Sequence, residues 1–344
     1  MKTLIVGGDF GDTPKPSSVV NKIAGTGFLG ECDVMNGGSL SKIQNIDLEP
    51  YDLVLWFPNM SNKIAKLYPQ KKQGAVLICS KVIREGYDDT DAVSRIFKMK
   101  ANAVVSIISD EQPFKFKLID ALGNTWVTTS DLDFLSLEIV SFYDFTKGSI
   151  RLNSESVSKK RIDLSHLEEF VELNKQVADK SEAMGGRYFG NCSTRCEKMF
   201  PSTRLSGDQI VVSKRNVDKE NLTVKDLVVC SLNATGDVEY VGYHKPSVDT
   251  PIQLTLYKAF PEINFMIHGH YHIKNNPVTK NYFPCGDMRE YVELSNHINE
   301  AGTNDGIVNL RNHGFLIYAT TLDKLRELID GAEFLKREIG APKL

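Results

Sequence analysis

The stretch FMIHGHYHI, residues Phe265 to Ile273, places His268, His270 and His272 within five positions at the end of an apolar run. The whole chain has only seven histidines. On a β-strand, residues i and i+2 point to the same face. His268 and His270 therefore share a face with only Gly269 between them, and the glycine leaves room close to the backbone. Two imidazoles so placed are a chelate for a divalent metal, which needs three or four ligands. The competing reading makes them polar punctuation at a strand end. His272 has the same parity and either joins the pair or emerges into solvent.

A two-histidine site needs partners. His313 stands in Asn312-His-Gly314, directly after the strand-like run Ile307 to Leu310. A lone His before Gly is usually a turn residue, and the need for a third ligand is what singles it out. Asp249 lies in Lys245-Pro-Ser-Val-Asp-Thr250, just before an apolar helix from Ile252 to Phe260. It is a candidate ligand or base. The structural reading makes Asp249 or Thr250 a helix N-cap with Pro251 at the first helical position. Cys192 and Cys196 imitate half a zinc site but have no second Cys/His pair, and no GxSxG occurs, so zinc-finger and serine-hydrolase readings are set aside.

The elements that must carry these residues fall into two halves. In the first, continuous apolar runs at Thr3 to Val6, Asp52 to Phe57, Ala75 to Cys79 and Ala103 to Ile108 predict strands buried on both faces. Intervening segments such as Asp89 to Lys100 suit helices, which predicts a parallel α/β sheet, Rossmann-like or flavodoxin-like, over residues 1–150. Its first turn, Gly7-Gly-Asp-Phe-Gly11, is not GxGxxG. With Pro14 and Pro16 following, it reads as a structural turn more than a phosphate cradle, despite Ser17 and Ser18. Gly37-Gly38 is a turn. The polar residues 151–163 read as a linker. A helix starts at Asp163 or Ser165, where Ser165-His-Leu-Glu168 fits a capping box. The second domain then runs over 164–344.

Composition bounds the function. The 344 residues carry 41 Lys and Arg against 44 Asp and Glu, a net charge of −3, which gives no basic footprint for nucleic acid. No apolar run reaches membrane-spanning length. The start MKTLIVGG is too soon broken by glycine to form a signal-peptide core. Six scattered cysteines without a CxxC framework suit reduced thiols, and the expected compartment is the cytoplasm.

Four blocks in order resemble the class II aldolase/adducin superfamily over about residues 164–335. Gly190-Asn-Cys-Ser193 with Arg195 is similar to its GN-x-S-x-R turn. Ile210 to Lys214 is similar to a strand ending in a Thr/Ser loop. Pro246 to Pro251, continuing as Leu254 to Pro261, is similar to PSSDTP…LYxAFP of L-ribulose-5-phosphate 4-epimerases. His268-Gly-His270 with Asn312-His-Gly314 is similar to the HxH…HG metal ligands. The resemblance implies a class II aldolase-like α/β/α fold with a mostly antiparallel sheet, and a homotetramer with active sites between subunits. It implies His268, His270 and His313 as metal ligands, with Asp249 completing the coordination or moving a proton. Zn2+ is the expected ion, with Mn2+, Co2+, Ni2+ and Fe2+ able to occupy similar sites. Asn191, Ser213 and Ser247, with Ser193 and Lys214 nearby, are implied to cradle a substrate phosphate. The implied activity is metal-dependent aldol-type cleavage or 4-epimerisation of a small phosphorylated sugar through a metal-stabilised enediolate. A decarboxylase would use the same enediolate.

The chain also departs from the family. Val248 replaces the second Ser of PSS. The loop Ser213-Lys-Arg215 lacks the Pro/Gly-rich turn, so that Lys214 or Arg215 is a source of charge in place of backbone amides. The C-terminal tyrosine and the acidic residue after HxH have no counterpart. Tyr282 is then a candidate acid/base reaching a neighbouring subunit, against its reading as a core tyrosine. Two other classes remain on sequence grounds. One is a bifunctional enzyme whose N-terminal domain takes a nucleotide or sugar; the other is a non-catalytic, adducin-like interaction protein.

Overall fold

Runs of Val, Ile and Leu with no polar alternation can be satisfied only in a sheet covered on both faces. The computed structural model of the chain contains two such sheets. It describes all residues except 8–15, 37–45, 58–74, 84–87, 109–112, 179–186, 197–204, 206–207 and 341–344. The glycine turns at 8–11 and 37–38 lie outside the described residues. Two compact units are present, Met1–Gly148 with Glu338–Leu344, and Ser149–Ala183 with Arg187–Arg337.

In the first unit, β1 (Lys2–Gly7), β2 (Glu31–Asn36), β3 (Leu53–Phe57), β4 (Val76–Ile83) and β5 (Ala103–Ile108) are parallel, in the order β2-β1-β3-β4-β5. This is the expected doubly wound arrangement. Two antiparallel strands, β6 (Lys115–Asp120) and β7 (Thr125–Thr129), extend its edge. The helices are α1 (Pro16–Gly25), α2 (Asp89–Met99) and α3 (Leu132–Lys147). Ile5, Leu55, Ile78 and Val105 pack on one face with Ile139 and Phe142 of α3. Leu4, Val54, Leu77 and Val104 pack on the other with Val93 and Ile96 of α2. The tail expected to belong to the second domain groups here instead: Gly340 N–H donates to Gly123 O at 2.7 Å, and Thr125 Oγ1 donates to Gly340 O at 2.7 Å.

The second unit is built on eight strands. They are β8 (Ser154–Ser158), β9 (Asn191–Arg195), β10 (Ile210–Ser213), β11 (Leu227–Leu232), β12 (Val238–Val241), β13 (Phe265–Gly269), β15 (Gly306–Leu310) and β16 (Gly314–Ala319). Their order is β15-β16-β13-β9-β10-β11-β12-β8, antiparallel throughout except for β8 against β12. The expected linker at 151–163 therefore contains a strand. Its polar sequence Ser-Glu-Ser-Val-Ser hid an edge position, where backbone pairing rather than apolar burial defines the strand. A two-residue pair, β14 (His272–Ile273) with β17 (Phe334–Leu335), lies apart.

Helices α4 (Glu168–Gln176) and α7 (Leu322–Asp330) cover one face through Phe170, Val171, Leu173, Leu325 and Ile329. Helices α5 (Thr250–Ala259) and α6 (Arg289–Ala301) cover the other through Ile252, Leu256, Tyr257, Leu294 and Ile298. This is the expected α/β/α sandwich. The capping box expected at Ser165 does not form. Residues Ser165–Leu167 make a 3-10 turn without a side-chain cap, and Asp163 Oδ1 accepts from Ser165 N–H at 3.0 Å. Among the described residues, no helix is long and apolar enough to cross a membrane.

Candidate metal centre

Phe265 and Ile267 of β13 point into the α4/α7 core, and Met266 points into the α5/α6 core. By the same alternation His268 faces the α5/α6 side. Its neighbours across the sheet are Asn191 and Leu316. Helices α5 and α6 begin at this end, so their first residues, Asp249 and Glu290 among them, arrive beside the histidines.

One side-chain nitrogen from each of His268, His270 and His313 lies within 4.8 Å of the other two. The ring centroids are 4.9 Å apart for His268–His313 and 5.1 Å for each pair with His270. His313 is delivered by the tight loop between β15 and β16, in which Asn312 takes a left-handed φ of 54°, a conformation that asparagine tolerates best among non-glycine residues. Phe189 stacks on His270 with ring centroids 4.7 Å apart. The chain bends after Gly269, and His272 turns away to Leu310 O at 3.3 Å, neither joining the cluster nor pointing freely to solvent.

Each of two rings is fixed through its Nδ1. His268 Nδ1 donates to Phe315 O at 2.8 Å, and its buried Nε2 has no hydrogen-bond partner among the described residues. His313 Nδ1 is 2.7 Å from Glu290 Oε2. Metal-binding histidines are characteristically oriented by such backbone and carboxylate acceptors. Burial lowers the basicity of both His268 and His270, with the neighbouring imidazoles adding to it, so the rings are neutral donors. A buried nitrogen lone pair without a partner is costly. That nitrogen, with a nitrogen of His270 and one of His313 close by, fits a divalent ion well. Burial, and after it the charge of Asp249, pushes the Glu290 carboxyl well above its usual range. The Cys285 thiol, also pushed well up by burial, sits 3.3 Å from His313 Nε2.

Asp249 occupies the N-cap position of α5 yet makes no capping bond. Its Oδ2 accepts from Asn191 Nδ2 at 2.8 Å, and its Oδ1 accepts from Gly286 N–H at 2.7 Å. Gln253 Nε2 donates to Asn191 Oδ1, fixing the amide's orientation. The carboxylate is thus held as an acceptor and is 8% exposed. It is not part of the three-nitrogen group.

The remaining sequence candidates divide. Asn191 begins β9, Ser213 ends β10, and Ser247 joins them from a loop: Ser213 Oγ accepts from Cys192 N–H at 3.2 Å, and Ser247 N–H donates to Ser213 O at 3.2 Å. Ser193 goes elsewhere. It is fully buried in β9 with its Oγ 3.1 Å from Tyr257 Oη, where it joins strand to helix rather than facing a substrate. Lys214 is ion-paired to Asp226 at 2.7 Å. Tyr282 is 6% exposed within its own chain, as a core tyrosine would be. Arg195 is also structural: its guanidinium donates to the carbonyls of Tyr257 and Phe260 at 2.6 and 3.2 Å, closing the C-terminal end of α5. Glu290 and Phe315 O, which aim the rings, carried no spacing signal in the sequence.

Residues 168–275 match the family model of the Class II Aldolase and Adducin N-terminal domain. The match takes in His268 and His270, while His313 lies beyond it. Solved structures similar to the chain include a sugar-phosphate aldolase from Thermotoga maritima, at 12% identity over 48% of this chain and 89% of that one, with a TM-score of 0.37. Another is the L-fuculose-1-phosphate aldolase of Thermus thermophilus, at 18% identity over 47% and 91%, with a TM-score of 0.27. A third is YgbL from Escherichia coli, described as a putative aldolase/epimerase/decarboxylase, at 18% over 50% and 94%, with a TM-score of 0.33.

Two glycines beside the histidines have a steric reason. A Cβ on Gly314 would stand 1.9 Å from the Gly269 carbonyl oxygen, and a Cβ on Gly190 would stand 2.7 Å from the His268 carbonyl oxygen. Both obstacles are backbone and cannot rotate away. Gly314→Ala is expected to cost about 3 kcal/mol, the upper part of the overpacking range, and to separate His313 from His268. Urea denaturation with metal analysis checks this; an unchanged midpoint with full metal content would refute it.

Proposed function

We propose that the second unit is a metal-dependent aldol-type lyase or 4-epimerase acting on a small phosphorylated sugar. The observation carrying this reading is the buried, unpartnered His268 Nε2 within the three-imidazole cluster, beside a carboxylate fixed as an acceptor. His268, His270 and His313 would hold the ion, with Zn2+ the first choice for imidazole donors. A divalent ion in such a site supplies Lewis-acid stabilisation of the negative charge that develops when a bond next to a carbonyl breaks.

The chain's own residues do the rest. Glu290 and Phe315 O keep the His313 and His268 rings in one tautomer and orientation. Asn191 and the Gly286 amide aim the Asp249 carboxylate, which takes the proton of the substrate hydroxyl and returns it after the bond change. A lyase releases the aldehyde fragment; an epimerase turns it and re-forms the bond. Self-association as a homotetramer belongs to the same reading.

A panel of ketose and pentulose phosphates tests the proposal with metal-loaded protein. Aldehyde release marks cleavage, and inversion at one carbinol without aldehyde marks epimerisation. Turnover of none of them would defeat it. Asp249→Asn should lower kcat by about 10²–10⁴-fold, the range of general acid–base catalysis, with metal content retained. A variant as fast as the parent would remove Asp249 from the chemistry.

A further inference from the structure

The cations around the candidate site fall into two groups. Lys214, Arg195 and Arg289 are each engaged by a carboxylate or by carbonyl oxygens, and Arg337 donates to His313 O at 2.7 Å. Four others have no carboxylate partner among the described residues: Lys219, Arg215, Arg187 and Arg151. Lys219 is 6% exposed, and among the described residues its ammonium makes a single bond, to Val217 O at 2.7 Å. The three arginines are exposed.

Backbone bonds place these four beside the site. Arg215 N–H donates to Lys245 O at 2.8 Å, so its loop runs along the segment that leads into Ser247 and Asp249. Tyr188 N–H donates to Asn216 Oδ1 at 3.0 Å, which sets Arg187 next to that loop. Met288 N–H donates to Ile150 O at 2.9 Å, which sets Arg151 beside the Cys285–Gly286 turn that holds Asp249. Arg215 lies within electrostatic reach of Asp249, Arg187 and Arg151, and Lys219 within reach of Asp249 and His270.

We infer that Lys219, Arg215, Arg187 and Arg151 form the seat for the dianionic phosphate end of the substrate, with the hydroxyls of Ser213 and Ser247 secondary to it. The inference rests on the sugar-phosphate reading above. An ammonium buried without a counter-ion and guanidinium groups brought together against their mutual repulsion are unfavourable unless an anion completes them. The chain as a whole carries a net charge of −3, so this patch is no sample of a generally basic surface. Guanidinium forks match phosphate oxygens in geometry. A carboxylate, with one negative charge, would leave more of the patch uncompensated than a phosphate does. The seat also accounts for Val248 and Lys214, where the family's second hydroxyl is missing and the adjacent lysine is already paired to Asp226.

The test is calorimetric titration of the full chain with inorganic phosphate at low ionic strength, with acetate as the carboxylate arm. Phosphate should bind and acetate should not compete with it. Lys219→Met and Arg215→Gln should each weaken phosphate binding about tenfold, the effect of losing one charged hydrogen bond. Arg187→Gln and Arg151→Gln should do so by about threefold, as expected for rim charges. Metal content should stay at the parent level in all four, with far-UV circular dichroism confirming the fold. His268→Ala/His270→Ala should lose metal and keep phosphate binding, which separates failure of the seat from failure of the lyase reading. Phosphate affinity unchanged in Lys219→Met and Arg215→Gln, no binding by the parent protein, or acetate binding as tightly as phosphate would each overturn the inference.

Discussion

His268→Ala/His270→Ala is expected to purify without metal and to lose at least about 10³-fold in turnover, the scale on which Lewis-acid stabilisation operates. Two of three donors vanish, and His313 alone, tethered to Glu290, cannot hold a divalent ion. The fold should survive. The replaced rings leave Phe315 O without the His268 bond, a loss of about 1 kcal/mol, while the sheet pairing of His268 with Leu316 and Asn191 is backbone and remains. Elemental analysis of the parent should find about one ion per chain, as a three-histidine site requires. Stoichiometric metal in the double variant would show that the ion sits elsewhere. An apo parent that takes up neither zinc nor manganese would remove the metal chemistry altogether.

Lys219→Met should make the protein more stable near neutral pH by about 2 kcal/mol. Burial is the largest influence on the Lys219 ammonium and lowers its pKa to about 8. Set against an ordinary lysine near 10.4, that difference corresponds to roughly 3 kcal/mol of desolvation penalty, partly offset by the bond to Val217 O. The penalty is full below pH 8, where the lysine is charged in both folded and unfolded chains. Between pH 8 and about 10.4 the unfolded chain binds more protons than the folded one, so the Lys219 contribution raises stability with pH. The difference between parent and Lys219→Met in urea midpoints should therefore be greatest at pH 7 and shrink toward pH 10. A less stable variant, or a difference independent of pH, would contradict this account. A residue that weakens the fold while sitting beside Asp249 and His270 is a natural position for function to outweigh stability.

The candidate site was legible in part. HxH at strand parity and His313 before glycine are local patterns, and the structure brings these three rings together. The parallel core strands of the first unit were legible because doubly covered strands are continuously apolar. Strand β8 was not, because Ser-Glu-Ser-Val-Ser sits on a sheet edge. The edge pair β6–β7 is defined by pairing partners rather than composition. Asp249 reads as a cap and is placed at the cap position, but tertiary bonds from Asn191 and Gly286 take its oxygens. Glu290, Cys285 and Lys219 approach the histidines from other segments, and nothing in their own neighbourhoods announces it. The block around Ser193 and Arg195 was legible as a motif, but the contacts of Ser193 with Tyr257 were not, since a motif records that residues belong together and not what each of them touches.

The bonds between β9 and α5 have a dimensional consequence. Asn191 reaches Asp249 at one end, and Arg195 reaches the carbonyls of Tyr257 and Phe260 at the other. Four residue steps along a strand cover about 13 Å, and the eight helical steps from Asp249 to Tyr257 cover about 12 Å. The two segments are thus nearly equal rulers laid side by side and pinned at both ends. Adding or deleting one residue in either would shift one pin by a helix step of about 1.5 Å with a turn of about 100°, or by a strand step of about 3.3 Å. Side-chain changes along this pair can be absorbed, whereas changes in length cannot, because the same gauge that joins helix to sheet sets how far the carboxylate stands from the imidazoles.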